Sequence, residues 1–156
     1  MLYRQFGHDY DDYFSIGING KNSEFHAAMG LCVLPQIENI IAKRKNITEE
    51  YDAALSAIVQ RPAMNKDLIY NYAYYPIILD SENQLLQVIE NLKQKNINGR
   101  RYFYPSLNEL PYLQKQPCPV SEDISRRVLC LPLYFGLSQE EVKMILDRIN
   151  QIMLPC

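Results

Sequence analysis

Apolar residues recur every three or four positions in several parts of the chain, the spacing that places side chains on one face of an α-helix. The first pattern begins at Ser23, is interrupted at Pro35 and resumes until the basic residues 43–45, where we expect the helix to end. A second helix is predicted from about Thr48 to Arg61. Their apolar faces carry Phe25, Met29, Cys32, Val33, Ile37, Ile40, Ile41, Tyr51, Leu55 and Ile58.

Two later helices have a clear start, because each begins with a serine followed three residues later by Gln or Glu. Ser81 and Gln84 precede one helix, which we expect to stop near Gly99, and Ser138 and Glu141 precede the last helix of the chain. Both then show regular apolar stripes, formed by Leu85, Val88, Ile89 and Leu92 and by Val142, Ile145, Leu146, Ile149 and Ile152.

Segments rich in tyrosine and branched apolar residues predict three strands, at 69–79, 101–104 and 128–131. Pro76 should place part of the first strand at a sheet edge or bulge. The first twenty residues and residues 106–121 show no apolar period, so we expect them to be irregular. The predicted fold class is α+β, with two helices followed by β-α-β-loop-β-α.

Composition limits the classes of function. The chain has 156 residues, 47% hydrophobic and 22% charged, with a formal net charge of −2, which suits one globular domain and argues against a nucleic-acid partner. No apolar run approaches the roughly 18 residues of a membrane span, and the start of the chain does not resemble a secretory signal. We therefore expect a cytoplasmic chain with no membrane partner.

Few residues suggest metal or acid–base chemistry. The cysteines Cys32, Cys118, Cys130 and Cys156 are far apart, so we expect independent thiols and no metal site. Of the two histidines, His26 is interpreted as a packed or surface residue, whereas His8 lies in an irregular stretch, where ligand contacts are more common.

Arg100 and Arg101 stand next to Tyr102 and near Tyr104. Such a group could hold a phosphate and stack a base. An edge strand with solvated arginines explains the same residues equally well. The residues alone therefore indicate an α+β domain without a complete active site.

Three stretches of the chain, in this order, resemble the segments of one enzyme family. Residues 17–28 read GINGKNSEFHAA and look like the G-x-N-x-R-M-x-E-x-x-A-A segment of the DegT/DnrJ/StrS-type sugar aminotransferases. Residues 100–107 read RRYFYPSL and resemble its R-x-Y-F-Y-P-x-L segment, closest to members acting on keto-deoxy sugars linked to dTDP. LCLPL at 129–133 and LSQEEV at 137–142 are similar to its closing pattern.

The resemblance implies the small C-terminal domain of an aspartate-aminotransferase-like (fold type I) enzyme, with a short antiparallel sheet and packed helices. Residues 1–22 would be the connection from a missing large domain, and residues 23–156 the small domain with its two linking helices. No lysine of the chain has the S-x-H-x-x-K context of the family's Schiff-base lysine. We therefore expect a fragment or split half of a transaminase, inactive alone and without a catalytic residue of its own. The alternative is a non-enzymatic remnant or a binding or oligomerisation module.

The same resemblance assigns roles to individual residues. Asn19 would reach the phosphate of pyridoxal 5′-phosphate (PLP) in a partner chain, with a weaker contribution from Lys21, which replaces the family's arginine. Tyr104, Arg101 and His8 would face the nucleotide sugar. PLP belongs to the complete enzyme, and we expect this chain alone to bind none. The implied partners are a second copy or a separate large-domain chain, which would cover the apolar faces of the first two helices.

Overall fold

Five α-helices and four short strands form the part of the chain that this computed structural model describes, residues 2–9, 11–65 and 67–153. Met1 and Cys156 lie outside the described residues. The helices are α1 (Glu24–Val33), α2 (Ile37–Leu55), α3 (Glu82–Lys93), α4 (Pro119–Arg127) and α5 (Gln139–Met153). The strands are β1 (His8–Asp9), β2 (Asp12–Tyr13), β3 (Tyr75–Ile78) and β4 (Val128–Leu131). The predicted α+β class with a short antiparallel sheet is confirmed.

The chain divides into two compact units. The first consists of Met1–Ile37 and Phe103–Arg126, and the second of Glu38–Tyr102 and Arg127–Cys156. The domain boundary expected at residue 22 stays a prediction.

The core of the second unit is built around β3 and β4. These strands are antiparallel, with Tyr75 opposite Leu131 and Ile78 opposite Val128, and only Pro76 among their residues is partly exposed. A two-stranded sheet is marginal by itself and needs apolar cover. The core cluster around it includes the helix residues Ile47, Tyr51, Leu55, Leu85, Val88, Leu92, Val142, Ile145 and Ile149.

The capping box of Ser138 and Glu141 is confirmed, and that of Ser81 and Gln84 is confirmed only for the bond to the serine hydroxyl. The Ser138 Oγ accepts the Glu141 N–H at 3.2 Å, and the Glu141 carboxylate accepts the Ser138 N–H at 2.8 Å. In α3, the Ser81 Oγ accepts the Gln84 N–H at 3.2 Å, while the Gln84 side chain accepts the N–H of Asp80 at 2.9 Å, one residue before the serine. Each box satisfies amide groups that the first helical turn leaves without partners.

The expected break between two N-terminal helices at residues 43–48 is wrong, because α2 continues through it to Leu55. Ile47, Thr48, Tyr51 and Leu55 are all buried, at spacings that continue one helix face through the basic residues. Pro35 interrupts the helical run as expected, within a 3₁₀ turn at Leu34–Gln36.

Two of the predicted strands also change. The segment 69–79 forms a strand only over Tyr75–Ile78. Residues 101–104 form no strand; the preceding Arg100 makes a single bridge with Cys130. Helix α4 begins inside the segment 106–121, which was expected to be irregular, and continues over 122–127, where no element was predicted. Ser125 is its one buried residue, so little apolar pattern was available to detect.

Helix α1 in the first unit buries none of its residues. Phe25 is 86% exposed and Met29 63% exposed, and a helix that is apolar around its surface is normally covered. A partner was also expected to cover the apolar face of the second helix. That expectation is wrong, because Tyr51 and Leu55 are buried in the core of their own unit.

The helical run Glu24–Leu55 contains an 18-residue window with a mean hydropathy of 1.2, none of it buried within this chain. By length and composition alone this run is sufficient to cross a membrane, contrary to the expectation from the sequence. A helix that another part of a protein covers has the same composition, so the run is weak evidence for a membrane.

We predict that Leu85→Ala lowers the free energy of unfolding by about 2–5 kcal/mol, because it leaves a cavity in the core. Leu86 is the matched control, since it is the next residue of α3 and is 49% exposed. Leu86→Ala should change stability by about 0.5 kcal/mol or less. Urea denaturation of the two variants measures the difference, and equal losses would contradict this core assignment.

Candidate functional site

The N-terminal segment of the first unit folds back on itself and so positions Asn19. The N–H of Phe6 donates to the carbonyl of Ile18 at 3.1 Å, and the N–H of Ile18 donates to the carbonyl of Tyr3 at 2.7 Å. Gln5 and Asn19 then form an antiparallel bridge. Several of the first twenty residues, a stretch that was expected to be irregular, are therefore held by backbone pairing.

Two glycines make this fold possible. Gly7 has φ +76°, and a Cβ atom there would lie 1.9 Å from the carbonyl oxygen of Ser15. A Cβ at Gly17 would lie 2.3 Å from the amide nitrogen of Gly7. Neither position admits a side chain without backbone movement, so Gly17, the first residue of the family-like G-x-N sequence, has a packing role.

A small aromatic cluster brings together two of the predicted site residues, His8 and Lys21. The Lys21 ammonium lies 4.2 Å from the centre of the Phe6 ring. The His8 ring centre lies 5.7 Å from that of Phe6 and 4.8 Å from that of Tyr13, on which it stacks. This N-terminal aromatic cluster (Phe6, His8, Tyr13 and Lys21) presents one cation on an aromatic surface.

Asn19 is exposed. Its backbone is fixed by the bridge to Gln5. Within the part of the chain that the structure describes, its carboxamide makes no hydrogen bond, so both N–H groups and the carbonyl oxygen are available to a ligand.

Tyr104 lies at the start of the 103–126 segment of the same unit, and a polar network holds the chain that follows it. The Glu122 carboxylate accepts the Cys118 N–H at 2.9 Å and an Asn108 side-chain N–H at 2.6 Å. The Ser106 hydroxyl donates to the Asn108 side-chain oxygen at 2.6 Å, and the hydroxyl groups of Ser106 and Ser121 lie 2.7 Å apart. We name these residues the Glu122 network.

The Cys118 N–H and the Asn108 amide lower the pKa of Glu122, because both stabilise its charged form. Sequence reasoning missed this network. Its only signal was Glu122 following Pro119, a combination that suits the first turn of a helix.

Arg101 lies in the second unit and is paired. Its Nη2 donates to the Glu82 carboxylate at 2.8 Å. Arg100, by contrast, is exposed, and its guanidinium lies 4.7 Å from the centre of the Tyr102 ring. Tyr74 meets that ring edge-on at 5.1 Å.

The structure therefore places four of the five predicted site residues, His8, Asn19, Lys21 and Tyr104, in the first unit, and Arg101 in the second. The first unit offers an ammonium and a carboxamide, groups that bind an anion. Among the described residues, no group of three or more His, Cys, Asp or Glu side chains is arranged to hold a metal ion.

Comparisons with known proteins agree on one family. The profile of the DegT/DnrJ/EryC1/StrS aminotransferase family matches residues 2–150. The chain is 38% identical over 149 residues to a dTDP-4-amino-4,6-dideoxy-D-glucose transaminase from Escherichia coli, covering 88% of this chain and 39% of that protein. It is 30% identical over 151 residues to a GDP-perosamine synthase from Escherichia coli O157:H7, covering 96% and 40%.

A solved structure shows the same fold. It is a DegT DnrJ EryC1 StrS aminotransferase from Brucella abortus, with 24% identity and a TM-score of 0.73 over 98% of this chain and 42% of that one. The chain thus spans about two fifths of the length of the relatives it matches.

We predict that Glu122→Gln destabilises the first unit at neutral pH, because the neutral amide accepts the same two N–H groups more weakly. The folded-state pKa of Glu122 lies below its ordinary value of 4.5. The stability that ionised Glu122 gives to the folded state is therefore fully present above pH 4.5. It is lost as the pH falls through the lowered pKa.

Thermal melts of both proteins from neutral to acidic pH measure the effect, and the difference between them should shrink on acidification. Glu90→Gln, at an exposed position of α3, is the matched control and should show no such convergence. A difference that is constant with pH would exclude the charge of Glu122 as its cause.

Proposed function

Because the chain belongs to the DegT/DnrJ/EryC1/StrS aminotransferase family, we propose that it supplies the C-terminal small domain of a PLP-dependent nucleotide-sugar aminotransferase. The complete enzyme would move an amino group from glutamate to a keto sugar. One observation carries the proposal: the family profile matches residues 2–150 of this chain, while the chain spans 39% of a transaminase to which it is 38% identical.

We propose a keto-deoxy sugar linked to dTDP as the substrate. The relative with 38% identity is named for a dTDP-linked amino sugar, and RRYFYPSL at 100–107 resembles the segment of such enzymes. The GDP-perosamine synthase is less similar, at 30% identity. The cytoplasm, where such an enzyme would meet its substrate, is the proposed location.

PLP, when bound, supplies the electron sink that amino transfer requires. The lysine that bonds it must come from another part of the enzyme, since no lysine here has the family context. Helix α1 supports this proposal, because its exposed apolar residues, among them Phe25 and Met29, need cover. We propose that the lysine-bearing part, or a second copy of the chain, covers them.

Asn19 and Lys21 are the residues of this chain that we propose at the cofactor phosphate. The carboxamide of Asn19 is exposed and makes no hydrogen bond within the described residues, so it can donate an N–H to a phosphate oxygen. Lys21 adds positive charge, although its ammonium rests on the Phe6 ring and lacks the planar fork of arginine. These two residues suit contact with the phosphate of PLP bound in the active site of a neighbouring chain.

Tyr104, Arg101 and His8 are the proposed substrate residues. The Glu122 network fixes the chain from Ser106 to Cys118 and so limits the positions that Tyr104 can adopt. Arg101 would have to contact the sugar nucleotide while remaining paired with Glu82. His8 is stacked on Tyr13, which favours a positioning contact over a proton transfer.

The function is tested with this chain alone and as a chimaera. In the chimaera, the chain replaces the matching part of the Escherichia coli transaminase. The chain alone, mixed with PLP and glutamate and reduced with borohydride, should show no stoichiometric adduct at any one lysine. The chimaera should aminate a dTDP-linked keto sugar. A folded, PLP-loaded chimaera without turnover would favour the non-enzymatic module instead.

We predict that Asn19→Ala in the chimaera weakens PLP retention by about 1.5–3 kcal/mol, roughly 10–150-fold, the value of one charge-assisted hydrogen bond. The matched control is Asn83→Ala, at an exposed position of α3, which should leave retention unchanged. Equilibrium dialysis of PLP measures both variants. Equal retention in the two would remove Asn19 from the cofactor site.

A further inference from the structure

Arg61 is held at the edge of the core of the second unit by two contacts. Its guanidinium carbon lies 4.0 Å from the centre of the Tyr75 ring, and its Nη1 donates to the Asp52 carboxylate. The side chain is only 17% exposed. Asp52 therefore neutralises the charge of Arg61 through one end of the guanidinium.

The other edge of the same guanidinium has no partner. The Nε and Nη2 atoms of Arg61 are buried, and neither donates to any acceptor in the described part of the chain. These two N–H groups are parallel and adjacent, the geometry that binds both oxygens of a carboxylate or phosphate. A buried donor without an acceptor is unfavourable, and more so when the group is charged, so this edge favours an acceptor.

The groups around Arg61 are already engaged. The Tyr75 hydroxyl donates to the same Asp52 oxygen at 2.8 Å, and the Tyr70 hydroxyl donates to the carbonyl of Tyr74. Burial raises the pKa of the Tyr70 hydroxyl, and the positive charge of Arg61 opposes that rise. None of these hydroxyl groups supplies the missing acceptor in the arrangement observed.

A second arginine supports an anion in this region. Arg44 donates from its Nη2 to the carbonyl of Ala73 at 3.1 Å, and its Nε is also buried without an acceptor. Two guanidinium groups therefore border the segment 70–75, and within the described residues Asp52 is the one carboxylate that pairs with either of them. An added negative charge would meet a local excess of positive charge.

We propose that the Nε/Nη2 edge of Arg61 is a binding site for a small oxyanion, a carboxylate or a phosphate. The anion would enter beside the segment 62–74, which contains no helix or strand among its described residues and in which Ile69 is 97% exposed. Tyr70 and Tyr75 would form its aromatic walls. This site does not depend on the proposed aminotransferase function.

The test follows the Arg61 Nε–H signal in ¹⁵N NMR spectra of the full chain. Sodium acetate and sodium phosphate are titrated separately, with sodium chloride added to keep the ionic strength constant. We expect the signal to shift along a saturating curve with at least one of the two anions. The acetate titration tests whether the site binds a carboxylate, and the phosphate titration tests whether it binds a phosphate. Backbone amides around Tyr70 and Tyr75 should give the same half-saturation concentration.

Arg61→Lys should identify the signal by its loss and raise the half-saturation concentration at the tyrosine amides roughly tenfold or more, because the parallel donors are gone. Arg148→Lys, on α5, is the matched control and should leave the curve unchanged. If Arg61→Lys does not fold, the titration of the unmodified chain decides alone. Two outcomes would overturn the proposal. One is a shift that sodium chloride alone reproduces, and the other is an Arg61 Nε–H signal that does not shift with either anion.

Discussion

The second unit depends on the backbone pairing of two short strands that are buried almost throughout. A buried amide or carbonyl group without a partner is costly, so the outer edges of β3 and β4 must also be bonded. Gln60 exchanges two hydrogen bonds with Ile78, at 3.3 and 2.7 Å, and Arg100 exchanges two with Cys130, at 3.0 and 2.8 Å. These irregular segments therefore supply partners on the outer edge of each strand, at Ile78 and at Cys130.

The same pairing sets the positions of neighbouring residues. Gly99 precedes the Arg100 bridge, and a Cβ atom there would lie 2.9 Å from the Leu129 side chain, so a larger residue would require that side chain to move. Cys130 is buried, and desolvation raises the pKa of its thiol to about 11. Near neutral pH that thiol is protonated and acts as a small apolar side chain.

Elements with both a cap and a regular apolar stripe could be predicted from the sequence. Helix α5 is the clearest case, since Ser138 and Glu141 cap it as expected and Ile145 and Ile149 enter the core. The expected helix end at residues 43–45 failed because local charge preference is weaker than the tertiary burial that continues through Ile47. Helix α4 offered no apolar stripe at all.

The candidate site could be predicted only in part. The resemblance singled out Asn19 and Tyr104, but nothing in their spacing could show that Glu122 fixes the chain after Tyr104. That network depends on side-chain hydrogen bonds between residues up to 15 positions apart, as with Ser106 and Ser121. Such contacts leave no periodic pattern in a single sequence.

The two neighbouring arginines show how such side-chain contacts decide which charged group a ligand can reach. In the strand expected over 101–104, alternation would have set Arg101 and Tyr104 on opposite faces, but that strand is absent. Arg101 is instead paired with Glu82 and largely buried, with its side chain 11% exposed. Breaking that pair for a ligand would be costly, because it would leave a buried charge without its partner. Arg100 keeps its guanidinium exposed over Tyr102. An anionic group at this surface would therefore meet Arg100 at lower cost, whereas Arg101 could reach it only while remaining paired with Glu82.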